Sequence, residues 1–197
     1  MWGLVESGSI TKIINKPKGM VIGDIRYSRK IFELWSKAEL EAKGIYEVEY
    51  DNTNQKDETW YINTDLSFAF AGGKITASYG SATARPHADV LFTAQDESDG
   101  KGTEGEVAVE GLKTIKIREI KKQAAGELAK TDWYVVRKAD AGTAVPSAIT
   151  THRAAVRTKA AEQETAITNA ADTAAIETLY TYVDGSRPLG ELPTLES

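Results

Sequence analysis

Two long amphipathic patterns dominate the second half of the chain. Val109, Leu112, Ile117, Ile120, Ala124 and Leu128 recur at spacings of three to five, which keeps them on one face of a helix. Ile149, Val156, Ala160, Gln163 and Ile167 fall at spacings of seven, four, three and four and mark a second helix. It starts behind the break at Gly142 and Pro146 and ends near Asn169. Between the two lies Lys130–Arg137, the one dense aromatic and β-branched run in this half. Neither apolar stripe can stay in water, so the helices are expected to bury them against each other or a partner. The expected shape is a helical hairpin with Trp133 and Tyr134 plugging its bend. Asp172 is placed to cap a further short helix, Thr173 to about Tyr182. Asp184-Gly185, Pro188, Gly190 and Pro193 then predict an extended tail over 183–197, whose Leu189, Leu192 and Leu195 pack along the helices or meet another chain.

The first 80 residues follow a strand period instead. Trp2–Val5 and Ile10–Ile14 flank the turn residues Glu6-Ser7-Gly8-Ser9. Met20–Ile22 and Ile25–Tyr27 are short strands broken at Gly23. Ser36 with Glu39 three residues on fits a capping box, and Gly44 a helix end, so Ser36–Lys43 is a short helix. Ile45–Tyr50 reads as a half-buried strand with Glu47 and Glu49 towards water. Glu58–Asn63 is a further strand, bearing Trp60 and Tyr61. Leu66–Phe70 and Lys74–Tyr79 form a hairpin about Gly72-Gly73, since glycine tolerates positive φ. The expected class is α+β: an antiparallel β domain with one short helix over 1–80, then a helical hairpin plus short helix over 107–182. Residues 81–106, rich in glycine and carrying Asp96-Glu97-Ser98-Asp99, read as an acidic linker or loop.

Composition narrows the chemistry. The 197 residues include no cysteine and only His87 and His152 as histidines, which excludes disulfides, thiolate nucleophiles and Cys- or His-rich metal sites. The first residues lack the basic and apolar regions of a secretion signal. No apolar run is long enough to span a bilayer. A soluble protein outside any membrane is expected. The net charge of −5 is uneven: residues 86–110 hold seven acidic and one basic side chain, residues 111–140 eight basic and four acidic. The positive window is one helix, bearing Lys113, Lys116, Arg118, Lys121 and Lys122 without interleaved aromatics, so no nucleic-acid partner is expected.

The carboxylate pairs Glu47/Glu49 and Glu162/Glu164 have ordinary positions on the wet faces of a strand and a helix. Gly72-Gly73-Lys74 lacks the glycine and hydroxyl spacing of a phosphate loop, and the acidic stretch lacks that of an EF-hand. Ser147 and His152, five apart, do not share a helix face. No catalytic residue, metal site or cofactor is expected. Trp133, Tyr134 and Arg137 are instead the residue types that dominate binding energetics, so they are candidate partner contacts.

Thr131-Asp132-Trp133-Tyr134-Val135-Val136-Arg137-Lys138, Gly142-Thr143-Ala144-Val145-Pro146 and Arg153-Ala154-Ala155-Val156-Arg157 resemble the C-terminal module of bacteriophage tail-fibre assembly proteins over about residues 110–170. Ala38-Glu39-Leu40 leading to Gly44-Ile45 resembles an element found upstream in such proteins. The chain is also similar to small tail-associated proteins of marine phages. The resemblance implies a non-enzymatic role in tail-fibre assembly, in the host cytoplasm, with a fibre or other tail protein as partner and Asp132, Trp133, Arg153 and Arg157 as binding positions. The alternative is a resident of the virion tail: a fibre, baseplate or connector subunit, with homo-oligomerisation open.

Overall fold

Ser7 and Gly8 both take positive φ, 51° and 79°, the pair of left-handed residues that matches a two-residue turn to strand twist. They join β1 (Trp2–Glu6) to β2 (Ser9–Ile14) in a computed structural model that describes residues 1–195. The chain is α+β and divides into two units, Met1–Thr83 and the remainder from Ala84. In the first, β3 (Met20–Ile22) and β4 (Ile25–Tyr27) form a second hairpin. Two short helices follow, α1 (Ile31–Leu34) and α2 (Lys37–Glu41), then β5 (Ile45–Asp51). The expected strand at Glu58–Asn63 is mostly turn, with the Trp60 and Tyr61 amides donating to the Asp57 carbonyl (3.0 and 2.9 Å). It leaves only β6 (Tyr61–Ile62). β7 (Leu66–Ala71) and β8 (Lys74–Tyr79) close a third hairpin.

Five strands hydrogen-bond in the order β2-β1-β5-β8-β7. Every neighbouring pair is antiparallel except β5 with β8, which corrects the expectation of a wholly antiparallel sheet. Burial explains the exception. On β8, Ile75 and Ala77 are completely buried, whereas β7 alternates half-buried and exposed residues. The more apolar strand takes the interior place beside β5, with Val48 opposite Ile75, and it runs the same way as β5. Ile45 and Val48, three apart on β5, point to opposite faces. Ile45 joins Leu4, Ile14, Met20, Ile31 and Leu40 in one core, Val48 joins Ile75 and Ala77 in another. Ile10 from β2 and Phe68 from β7 reach this second core together, so the sheet curls and its edges approach. Gly3 makes room for it: a Cβ there would collide with Ile75 Cδ1. α2 begins with the expected capping box, the Ser36 amide donating to the Glu39 carboxylate (2.7 Å) and the Glu39 amide to Ser36 Oγ (3.3 Å).

The second unit starts near β9 (Thr83–Ala84) and overturns the linker expected over 81–106. β10 (Val90–Leu91) pairs antiparallel with β11 (Val107–Val109), and α3 (Ala94–Ser98) lies between them. α3 has its own capping box, from Thr93 and Asp96. Residues 86–89 wrap the start of α4 (Leu112–Ala129). The Leu112 and Lys113 amides donate to the Pro86 and His87 carbonyls (both 2.9 Å), and the Gly111 amide to the Asp89 carboxylate (2.7 Å). These are donors that no helical partner can take, and the negative charge of Asp89 is favoured at the positive N-terminal end of the helix dipole. Composition reads such acids as mutually repelling. Placed singly at helix starts, they are caps.

α5 (Asp132–Ala141), α6 (Ser147–Asn169) and α7 (Thr173–Tyr180) complete the unit. α4 and α6 run antiparallel: Lys113 Nζ donates to the Thr168 carbonyl (2.8 Å), Lys121 pairs with Glu164 (3.5 Å), and Arg153 donates to the Leu128 carbonyl (2.7 Å). Ile120 and Ala124 pack with Val156, Ala160 and Ile167, as the spacing predicts. Val109 leaves the stripe for β11 and is exposed. Gln163, the polar member, is 2% exposed and donates to the Gly190 carbonyl (2.9 Å), which fixes the tail. Leu189 is buried and Leu192 packs beside it, while Leu195 is exposed. Glu196 and Ser197 of the expected tail lie outside the described residues.

Ile75→Ala is expected to lower the unfolding free energy by about 3 kcal/mol, the cost of a cavity at a fully buried site, as urea denaturation will read. Hydrogen bonds from the Thr93 hydroxyl and amide, then from Lys101, hold the Asp96 carboxyl down to about 2. A depressed carboxyl stabilises the fold only while ionised. That contribution is complete above the ordinary aspartate range and is lost as pH falls towards about 2. Protection of the α3 amides, taken relative to their intrinsic exchange rates at each pH, should therefore fall over that window, and Asp96→Asn, which keeps an acceptor but no titration, should flatten the response.

Candidate functional site

The corner between α4 and α5 gathers most of the candidate residues. α4 ends in carbonyls without helical partners. One of them, Leu128 O, accepts from the Thr131 amide (3.1 Å), the Thr131 hydroxyl (3.0 Å) and Arg153 Nη1 (2.7 Å). The same guanidinium nitrogen donates to Thr131 Oγ1 (2.7 Å) and to Asp132 Oδ1 (2.8 Å). Arg153 thus sets a positive charge at the C-terminal end of α4, and Asp132 a negative one in the first turn of α5, both favoured by the helix dipoles. Thr131 is fully buried, and the Arg153 side chain nearly so.

The expected aromatic plug is corrected here. The bend is Lys130–Thr131, and the run behind it is helical: α5 starts at Asp132, ends at Ala141 and is capped by Gly142, which takes a φ of 69°. No residue of α5 is buried. Trp133 is 52% exposed, with Val135 at 43% and Val136 at 65%. Thr131 and Arg153 pin the corner in place of the indole, because their polar groups match the free carbonyl and a bulky ring does not. The three aromatic-cluster residues still meet. The Trp133 and Tyr134 rings lie 3.9 Å apart, and the Arg137 guanidinium sits 4.6 Å from the Trp133 ring and 5.5 Å from that of Tyr134. Stacking and cation–π contacts of this kind contribute about 1 kcal/mol each, enough to order the surface without hiding it.

Asp132 and Arg153 are therefore ion-paired, and Trp133, Tyr134 and Arg137 form one stacked patch on the next turns. Arg157 stands apart, one turn beyond Arg153 on α6, exposed and without a hydrogen bond or ion pair among the described residues. Sequence reasoning missed Thr131 as the pivot and Val135 and Val136 as exposed apolar groups. The signal available was the dense run itself: Trp133, Tyr134, Val135 and Val136 crowd more apolar and aromatic side chains into one short helix than a single buried face can take.

Other candidate groups lie elsewhere. Of the basic residues on α4, Lys113 and Lys121 reach α6, Lys116 pairs with Glu119 (2.9 Å), and Arg118 clamps Glu110 through both oxygens (2.6 and 2.8 Å). Glu49 binds Lys74 (2.9 Å). His152 is buried on α6, its Nε2 without a hydrogen-bond partner among the described residues. Among those residues no three His, Asp or Glu side chains converge as metal ligands, and no helix is long and apolar enough to cross a membrane. Comparison with known protein families, curated proteins and solved structures finds no match to this chain.

Arg153→Ala should cost the second unit about 2 kcal/mol of stability, as expected for losing charged hydrogen bonds at a nearly buried site. Arg153→Lys should recover only part of it, because an ammonium lacks the planar fork. Urea melts of the two variants measure both.

Proposed function

We propose that this chain is a non-enzymatic binding protein that grips another protein through α5 and acts in bacteriophage tail-fibre assembly. One observation carries the binding part: α5 has no buried residue, yet it presents Trp133, Val135 and Val136 from a corner fixed by Arg153. Trp133 and Val136, three apart and so on one side of the helix, are held in water by that corner and pay little ordering cost when a partner covers them. The aromatic and arginine content of α5 matches the residues that dominate interface energetics. The partner class, a fibre or other tail protein met in the host cytoplasm, rests on the resemblance of residues 131–138, 142–146 and 153–157 to the tail-fibre assembly module.

A second reading, a resident subunit of the virion tail, draws on the N-terminal unit. A sheet with cores on both faces is a substantial fold in its own right, more than a transient binder requires. Quantitative mass spectrometry of purified virions separates the two. An assembly factor is absent; a resident subunit appears at fixed copy number.

Trp133→Ala should weaken capture of the cognate tail protein at least about tenfold, as at an interface hot spot. The thermal midpoint should fall by only a few degrees, the cost of losing the Tyr134 stack and the Arg137 cation–π contact at a half-exposed indole. Pull-downs with the purified neighbouring tail proteins, paired with a melt of the variant, measure both. Undiminished capture removes α5 as the binding element.

A further inference from the structure

The ribbon of β10 and β11 has no part in the binding role assigned to α5. We propose that the outer edge of β11 takes, as a third strand, an extended segment of a partner protein that alternates apolar residues with lysine or arginine. The ribbon has only two strands, fewer than a small sheet needs to support itself. Val90 opposes Val109 and Leu91 opposes Val107, with Ala108 unopposed between them. Even so paired, these four side chains remain 44–50% exposed. Beyond the ladder, the Phe92 amide donates to the Glu106 carbonyl (2.9 Å) and the Gly105 amide to the Phe92 carbonyl (3.0 Å). The inner edges are thus used up. Among the described residues no strand lies on the outer edge of β11.

Charge selects the occupant. Residues 86–110 carry seven acidic side chains against one basic. That one, Lys101, is committed to Asp96 and Asp99 (3.0 Å each), and Arg118 from α4 neutralises Glu110. Glu104 and Glu106 are exposed and have no cationic partner among the described residues. A second copy laid antiparallel along this edge would bring Glu106 against acidic counterparts, and like charges across strands destabilise a pair. Nucleic acid is repelled by the same carboxylates. The stretch Glu106-Val107-Ala108-Val109-Glu110 alternates acidic ends with valines. A basic, alternating strand complements both its apolar and its charged positions, while main-chain hydrogen bonds supply the affinity.

The full chain is titrated with a labelled, end-blocked octapeptide of alternating valine and lysine, by fluorescence anisotropy, with amide exchange followed at Val107–Val109. The expected results are saturable binding, slowed exchange at those residues, and affinity falling about tenfold as salt screens the charges. A valine–glutamate peptide should not bind, and Glu104→Lys with Glu106→Lys should invert the preference. A central proline, which cannot donate to a ladder, should abolish binding. Trp133→Ala should leave it untouched, which separates this edge from α5. No binding of the valine–lysine peptide, equal binding of the proline peptide, or binding without protection of 107–109 overturns the proposal.

Discussion

One guanidinium holds the architecture of the second unit. A helix as long as α4 ends in carbonyls that must be satisfied if the chain is to turn within the fold. Arg153, reaching across from α6, meets Leu128 O, Thr131 Oγ1 and Asp132 Oδ1 at 2.7–2.8 Å. This one side chain ends α4, starts α5 and ties both to α6. The apolar seam of Ile120, Ala124, Val156 and Ala160 supplies the burial. It does not specify where the chain leaves it; the arginine does.

The same division of labour recurs elsewhere. Asp89 seats the segment before α4, Gln163 anchors the tail at Gly190, and Ser36 with Glu39 starts α2. Hydrophobic burial is strong but non-directional, so single polar side chains set the direction of each segment. The outcome for function is two apolar surfaces held in place without being covered, α5 and the β10–β11 ribbon. In the first unit a missing side chain also matters. Gly3 leaves space that the end of Ile75 fills, on the face where β8 lies beside β5.

Much of this was legible along the chain. The hairpins at Ser7-Gly8 and Gly72-Gly73, the capping box at Ser36, and α6 between Pro146 and Asn169 all follow from neighbours a few residues apart. The two stripes predicted the α4–α6 seam, although Val109 leaves it and the buried Gln163 reaches the tail. The candidate site was legible in part. Asp132 and Arg153 do meet, and Trp133, Tyr134 and Arg137 do cluster. The indole lies on the surface and Arg157 apart, which residue types alone do not reveal. Residues 81–106 read as a linker because composition averages over the acids, two of which, Asp89 and Asp96, each cap a particular helix.

Local order along the chain was settled by interactions between near neighbours, whose geometry is the same in any context: turn residues with positive φ, caps, and periodic apolar stripes. Three features needed the folded molecule: the parallel pairing of β5 with β8, the helical form and exposure of α5, and the wrapping of residues 86–89 on α4. Each depends on groups 20 or more residues apart, Val48 with Ile75, Leu128 with Arg153, Asp89 with Gly111. Local propensity carries no information about such pairings, because which distant donor or methyl group fills a site is set by the geometry of the whole unit.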